Sequence, residues 1–488
     1  MADKKQSGQV FTPLYLVCDI LNAAGYVENN IRKKHIIDNS CGNGAFLSAI
    51  VQRYILEFLK ESKDATLLKH ELETYIHGIE LDPVAYNECI ANLNDLVKDS
   101  DIKNIHWDII NADTLSVNQF DGKMDFVVGN PPYVRVHNLE NYDAVKKFKF
   151  AEGGMTDLYL VFYEIGFNML KKGGKLCYIT PSSWINSVAG SVLRRYALDT
   201  HSLVRLIDLE HYQAFDATTY TMISLFQKEV SHETFTYGIY KPNNKCTFHL
   251  VVEDLSIEET MINGVMYLAN HKTLQELRTI QTTRFKKFVE VKNGFATLAD
   301  KVFIRSEFPF DQYVIPTIKA STGKWYKAFF PYDTKGKPLP KEQIFGNQQI
   351  AQYLEDNASE LLKGRTKEQM PDWYLFGRTQ ALKDVAADKY AINTILIDKN
   401  SIKLNKVPTG SGIYSGLYIL TKVEESVLRD ILISDEFIQY VATLKKYKSG
   451  GYYTFNSKEL EQYLNYKLSN LFNYKHHAQQ SDLFTSNQ

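Results

Sequence analysis

The stretch Asp125-Phe-Val-Val-Gly-Asn130-Pro131-Pro132-Tyr133 sets an amide, two prolines and an aromatic directly after an apolar run. Such a run suits a central strand of a parallel sheet, covered on both faces. Proline lacks an N–H and has a fixed φ, so the chain must leave the sheet here, and leave it rigidly. Ligands of open α/β sheets bind just beyond the carboxyl ends of the strands. The Asn130 side-chain oxygen and the Pro131 carbonyl, held beside the Tyr133 ring, suit a flat substrate that carries an amino group.

Earlier strand ends carry further polar groups. His35-Ile-Ile-Asp38-Asn-Ser-Cys41-Gly42-Asn-Gly44-Ala45 reads as a short strand, a small-residue turn and a helix start. Its glycines let backbone approach a ligand, and the helix N-terminus favours negative charge. The spacing is not the dinucleotide fingerprint and lacks the P-loop lysine. That leaves room for a cofactor without pyrophosphate, such as a nucleoside bearing an amino acid. A second strand from Tyr75 ends in Glu80-Leu-Asp82-Pro83. There Glu80 can accept both ribose hydroxyls, and Asp82 also suits a helix N-cap ahead of Pro83. A third strand, Ile105 to Ala112, ends at Asp113, a candidate for binding the base of a nucleoside.

The elements that must hold these groups alternate regularly. Thr12 and Pro13 read as the N-cap and first residue of a helix carrying Leu14, Val17, Ile20 and Leu21. Two amphipathic helices fill Ser48 to Tyr75, and another opens at Met155-Thr-Asp157-Leu-Tyr159 with Thr156 or Asp157 as its cap. A fifth strand, Leu176 to Ile179, leads into Pro181-Ser182-Ser183-Trp184; Leu203 to Leu209 is a sixth. After the Phe215–Tyr220 loop, Thr221 to Lys228 alternates like a seventh strand at the sheet edge. A chain of 488 residues exceeds one ordinary core, so two domains are expected. A net charge of −1 neither implies nor excludes a nucleic-acid partner, since basic residues can gather on one face. Five cysteines without paired short spacing indicate reduced thiols, not a metal site or disulfide framework. The start lacks an apolar leader and no run reaches membrane-spanning length, so a cytoplasmic protein without a membrane partner is expected.

The ordered set Gln9-Val-Phe-Thr12-Pro13, Asp38–Phe46, Glu80-Leu-Asp82-Pro83, Ala112-Asp113, Asn130-Pro-Pro-Tyr133, Asp157-Leu-Tyr159 and Pro181–Trp184 resembles the adenine-N6 DNA methyltransferases. The resemblance is to the TaqI-like (gamma) group, in which the cofactor half precedes the catalytic tetrapeptide. It implies an α/β fold: a Rossmann-like S-adenosylmethionine-dependent methyltransferase sheet, followed by a C-terminal α+β target-recognition domain. Thr12 and the turn bearing Asp38, Cys41, Gly42 and Gly44 would line the methionine end of S-adenosylmethionine. Glu80 would take the ribose, with Asp82 beside it, and Asp113 the cofactor's adenine; Asn130 is counted among the cofactor contacts too. Asn130 and Pro131 would accept the N–H bonds of a target adenine flipped out of the duplex. Tyr133 would stack on that ring, with Phe215 as a second stacking residue whose alternative is a core or loop phenylalanine. The stretch between Asp38 and Glu80 is longer than usual in the family, which an extra outer helix would accommodate.

The expected domains are 1–245 for catalysis and 255–475 for target recognition, with a disordered tail over 476–488. In the second half, Lys445-Lys446-Tyr447-Lys448-Ser-Gly-Gly interleaves basic, aromatic and glycine residues, which suits a loop at a phosphate backbone. A solvated surface loop is its bland alternative. Double-stranded DNA is the expected partner and a monomer the expected state, with no metal. No nuclease-sized segment precedes Thr12, so any cognate restriction endonuclease is expected to be encoded separately. The alternatives weighed are an RNA adenine methyltransferase, a protein-glutamine methyltransferase, which would not need this second half, and a non-catalytic DNA-specificity subunit. Intact Asp38, Glu80, Asp113 and Asn130 speak against the last.

Overall fold

A computed structural model describes residues 12–98, 102, 104–136, 139, 142–152, 156–215, 219–241 and 247–485. The chain divides into two compact units, Met1–Glu276 and Leu277–Gln488.

The first unit is built on a nine-stranded sheet in the order β3-β2-β1-β4-β5-β7-β6-β8-β9. The strands are β1 (Ile36–Asp38), β2 (Ile76–Glu80), β3 (Asp108–Asn111), β4 (Met124–Gly129), β5 (Leu170–Pro181), β6 (Leu203–Asp208), β7 (Thr221–Gln227), β8 (Phe235–Lys241) and β9 (Thr247–Leu255). β1 to β5 run parallel, and β7 lies antiparallel between β5 and β6. The strand order turns back at β1, between β2 and β4, so the ends of these strands face the crevice where such folds bind ligands. Every residue of β4 is buried, which suits its unbroken apolar run. The helices are α1 (Leu14–Ala24), α2 (Ala45–Phe58), α3 (Ala65–Tyr75), α4 (Pro83–Val97), a short α5 (Tyr142–Val145), α6 (Leu158–Met169) and α7 (Ser191–Thr200). α3 is the additional helix between β1 and β2, started by Asp64, which accepts from Thr66 N and Leu67 N.

Three elements differ from the sequence reading. β7 is not an edge strand: Thr221 to Phe226 are all buried, and its Ser224 hydroxyl bonds Tyr163. Thr12 is not the N-cap of α1; that position belongs to Pro13, and the Thr12 hydroxyl is used elsewhere. The segment expected to mark the domain boundary instead adds β8 and β9 to the sheet, and the chain divides only after Glu276. Gln9, Val10, Phe11, Met155 and Pro242-Asn-Asn lie outside the described residues.

The second unit is α+β, with three small sheets. One joins Val289–Asn293, Leu417–Thr421, Lys389–Ile392 and Leu404–Val407; another joins Ile304–Arg305, Lys324–Phe329, Val314–Lys319 and Gly412–Tyr414. The third joins Ile395–Leu396, Tyr452–Thr454 and Tyr447–Lys448. A last helix, Ser457–Thr485, covers the first sheet, where Asn465 Oδ1 accepts from Phe288 N (2.8 Å) and Val289 N (3.1 Å). That helix is continuous to Thr485, and no glycine or proline interrupts it.

Candidate active site

The ends of β1, β2 and β4 bring together residues far apart in sequence. Asp38 closes β1 fully buried, with Oδ1 accepting from Ser40 N at 3.1 Å. Burial, and the neighbouring Glu80 to a smaller extent, push its carboxyl up to about 7 despite the Ser40 N–H. Glu80, also buried, is held from both sides: Gly42 N donates to Oε2 (2.7 Å) and Asp82 N to Oε1 (2.8 Å). Among the described residues, neither carboxylate forms an ion pair with a lysine, arginine or histidine. These two strand ends therefore offer acidic groups without an internal counterion, the reverse of a phosphate site.

Two glycines make this arrangement possible. Gly129, the last residue of β4, has φ +150°, and a Cβ there would stand 2.6 Å from Asp38 Oδ1. Gly44, at φ +89°, opens α2, and a Cβ there would meet Cys89 Sγ at 2.7 Å. Gly42, at φ +55°, turns its N–H onto Glu80. Sequence reasoning misses Gly129, although it stands next to Asn130 in the opening stretch. Cys41 is buried beside Cys89, and that contact raises its thiol pKa, so it acts as packing under the turn.

Asn130 follows directly. Its side-chain nitrogen donates to Thr12 Oγ1 at 3.1 Å, across 118 residues of sequence, and Thr12 is itself buried. Because the nitrogen is turned toward Thr12, the amide's acceptor oxygen is turned away from it. Ser40 Oγ donates to the Asn130 carbonyl at 3.5 Å, tying the β1 and β4 loops together. Tyr133 donates its hydroxyl to Ile179 O (3.2 Å) and packs edge-on against Tyr159, with ring centroids 6.3 Å apart. The ring is half-buried and tethered.

Asp82 and Asp113 make their own bonds at the neighbouring strand ends. Asp82 caps α4, accepting from Val84 N at 2.9 Å with Pro83 in the first turn. Asp113 caps a short turn through Leu115 N (3.0 Å), while the adjacent Thr114 hydroxyl donates to Asn39 O (2.7 Å) and so anchors its loop to β1. Phe215 is buried in the apolar core of the first unit, which is its core alternative and not a face offered to a substrate. Lys445 to Lys448 are not a plain loop: Tyr447–Lys448 pairs with Tyr452–Thr454 in a hairpin turned by Gly450 and Gly451, both at φ +82°. There Lys446 pairs with Glu459 and Lys445 lies over the Tyr447 ring at 5.9 Å. No helix among the described residues is long and apolar enough to cross a membrane. Among them, no cluster of His, Cys, Asp and Glu is placed to hold a metal ion.

A parallel sheet that turns back between β2 and β4, with an antiparallel seventh strand between the fifth and sixth, is the Rossmann-like fold of S-adenosylmethionine-dependent methyltransferases. Residues 39–215 match the family described as Eco57I restriction-modification methylase. The chain is 23% identical to the type II restriction enzyme and methyltransferase RM.Eco57I of Escherichia coli, over 89% of this chain and 53% of that protein. It is 20% identical to the type II methyltransferase M.AccI of Acinetobacter calcoaceticus, over 94% of this chain and 85% of M.AccI. Of solved structures, the type IIL restriction-modification enzyme MmeI in complex with DNA shares the fold, with a TM-score of 0.64 at 12% identity. That likeness covers 91% of this chain and 64% of MmeI. The chain spans about half the length of the first curated relatives it matches.

Proposed function

We propose that this chain is a site-specific DNA methyltransferase of a restriction–modification system. It would transfer a methyl group from S-adenosylmethionine to the N6 amino group of an adenine flipped out of duplex DNA. In this reading it is a TaqI-like enzyme acting as a monomer, and it protects host DNA from a cognate endonuclease. The first unit, through Glu276, carries catalysis, and the second, from Leu277, target recognition. The observation that carries the reading is Asn130 at the end of β4, its amide nitrogen bonded to Thr12 beside the strand ends of Asp38 and Glu80.

The chemistry of these residues suits S-adenosylmethionine. That molecule carries an ammonium and a sulfonium, and two buried carboxylates without counterions suit a cation. Asp38, Cys41, Gly42, Gly44 and Thr12 would border its methionine end, Glu80 and Asp82 its ribose, and Asp113 its base. When bound it supplies an electrophilic methyl group. The chain's own residues then need only orient and polarise. The Asn130 oxygen and the Pro131 carbonyl each accept one N–H of the exocyclic amine, which draws the nitrogen toward tetrahedral geometry and localises its lone pair. Holding that nitrogen in line supplies much of the remaining acceleration. Tyr133 stacks on the extruded ring, a contact worth about 1–3 kcal/mol.

Tyr133 makes the stacking role measurable. Tyr133→Phe keeps the ring and loses one hydrogen bond, so methylation should persist with a stability loss of about 1 kcal/mol. Tyr133→Ala should weaken trapping of the flipped base, read as lower fluorescence of 2-aminopurine placed at the target. Full activity and an unchanged signal in the alanine variant remove Tyr133 from the site.

Asp38 gives a pH signature. Its folded carboxyl titrates near 7, above the ordinary carboxylate range, so between that range and pH 7 the folded state holds a proton that the unfolded state has lost. Stability of the ligand-free chain should therefore fall as pH rises to about 7 and level off above it. Asp38→Asn should remove that slope. Affinity for S-adenosylmethionine should rise over the same interval, with proton release seen by calorimetry in buffers of different ionisation enthalpy. Affinity independent of pH would contradict the assignment.

A further inference from the structure

In the second unit, the antiparallel strands Val314–Lys319 and Lys324–Phe329 and the neighbouring Arg305, which lies over the Tyr353 ring and donates to its hydroxyl, carry a cationic surface. Lys319 stands directly opposite Lys324, and Lys327 directly opposite Arg305 of the neighbouring edge strand. Like charges in direct cross-strand register destabilise a sheet. Among the described residues, none of these four cations makes an ion pair with a carboxylate. A further lysine, Lys403, is brought to the turn of this hairpin, its Nζ near Ser321 O (3.4 Å) and Thr322 O (3.5 Å). Between Lys324 and Lys327 stands Trp325, 48% exposed although its cross-strand partner Ile318 is fully buried.

Lysines on an edge strand commonly guard it against pairing with other chains. That explanation covers Lys324, where the strand is paired on one side only, but not Lys327, which has Arg305 opposite it on one side and Pro316 on the other. It does not cover Lys319, which lies on an interior strand, between Lys324–Phe329 and Gly412–Tyr414. Nor does it cover an exposed tryptophan, which invites the association that edge lysines prevent. Cations set against one another at a cost, around an aromatic offered to solvent, are explained by a polyanion that meets their charge. The Lys445–Lys448 hairpin differs, since Lys446 already has Glu459.

We infer that this hairpin is a surface for the phosphate backbone of duplex DNA, with Lys319, Lys324, Lys327 and Arg305 meeting phosphates and Trp325 packing against the sugar–base edge. The inference rests on the reading of the chain as a duplex-DNA enzyme and locates a contact that reading leaves open. Strand alternation puts Lys324 and Lys327 on opposite faces, so the cations surround the strand edge and do not form one flat patch.

The test measures binding of the full chain to a fluorescent mixed-sequence duplex across a salt series. The triple variant K319Q/K324Q/K327Q should bind more weakly. Its slope of log Kd against log salt should be shallower by about two to three, since the slope falls by about 0.9 for each phosphate left unneutralised. Its thermal midpoint should stay or rise, because the opposed charges are gone. K319R/K324R/K327R should keep the wild-type slope, and W325A should lose affinity with little change in slope. An unchanged slope in the glutamine variant overturns the inference, and aggregation with an unchanged slope returns the lysines to guarding the edge. Preferential, lysine-dependent binding to phosphatidylserine vesicles overturns it as well. Methyl transfer by the wild-type chain is measured separately: its absence would sink the proposed function, while the salt slopes still decide the hairpin.

Discussion

Asn130→Ala is expected to lower kcat for methyl transfer by about 10²–10³-fold or more while S-adenosylmethionine still binds. The size follows from the chemistry of the nucleophile. The lone pair of an exocyclic amine on a purine is delocalised into the ring, so the amine attacks poorly until acceptors draw its hydrogens out of the ring plane. An alanine leaves only the Pro131 carbonyl to do this. The amide must also present its oxygen, and not its nitrogen, to the substrate; with Nδ2 donating to Thr12 Oγ1 at 3.1 Å, the oxygen is left for that role. Equilibrium binding of labelled S-adenosylmethionine and single-turnover transfer separate the two effects. Loss of cofactor binding with an unchanged rate for the bound fraction would move Asn130 out of the chemical step.

Glu80→Ala is expected to raise the Kd for S-adenosylmethionine by about 10²-fold or more, since hydrogen bonds to a charged acceptor are each worth about 1.5–3 kcal/mol. It should also destabilise the unliganded chain. Glu80 accepts from Gly42 N and Asp82 N, and its removal strands two backbone donors beside a buried turn. Glu80→Gln is the sharper variant: its single carbonyl oxygen can serve one of those N–H groups, while its NH2 must face the other. Both variants should therefore lose binding and thermal stability, the glutamine less. A glutamine variant with wild-type affinity and midpoint would show that Glu80 holds only the turn, and weakly.

The order of the site was legible because its signals are local. A strand that stops at Asn130-Pro131-Pro132, glycines after Asp38 and a carboxylate closing β2 are punctuation that the backbone itself dictates. What stays hidden in the sequence depends on partners. Thr221 to Phe226 alternates like an edge strand, yet it is buried and interior, because β5 and β6 pair with its two edges and Tyr163 meets Ser224 on one face. Phe215 suited a stacking position until the fold packed it into the core. The Thr12–Asn130 bond spans 118 residues and has no sequence signature, so Thr12 reads as a helix cap. In the second unit the strands are short and pair across long separations, as Val289–Asn293 does with Leu417–Thr421. Neither periodicity nor turn residues announce such pairings, and that half is legible only in outline.

The most direct test of the central claim is to express the chain in a host free of DNA methylation and read modified bases across its genome. The account predicts N6-methyladenine confined to one recognition sequence, and none when Asn130→Ala is expressed at the same level. Methylation on cytosine, or adenine methylation that survives Asn130→Ala, would contradict it, as would an unmodified genome in cells that hold the folded, S-adenosylmethionine-binding protein.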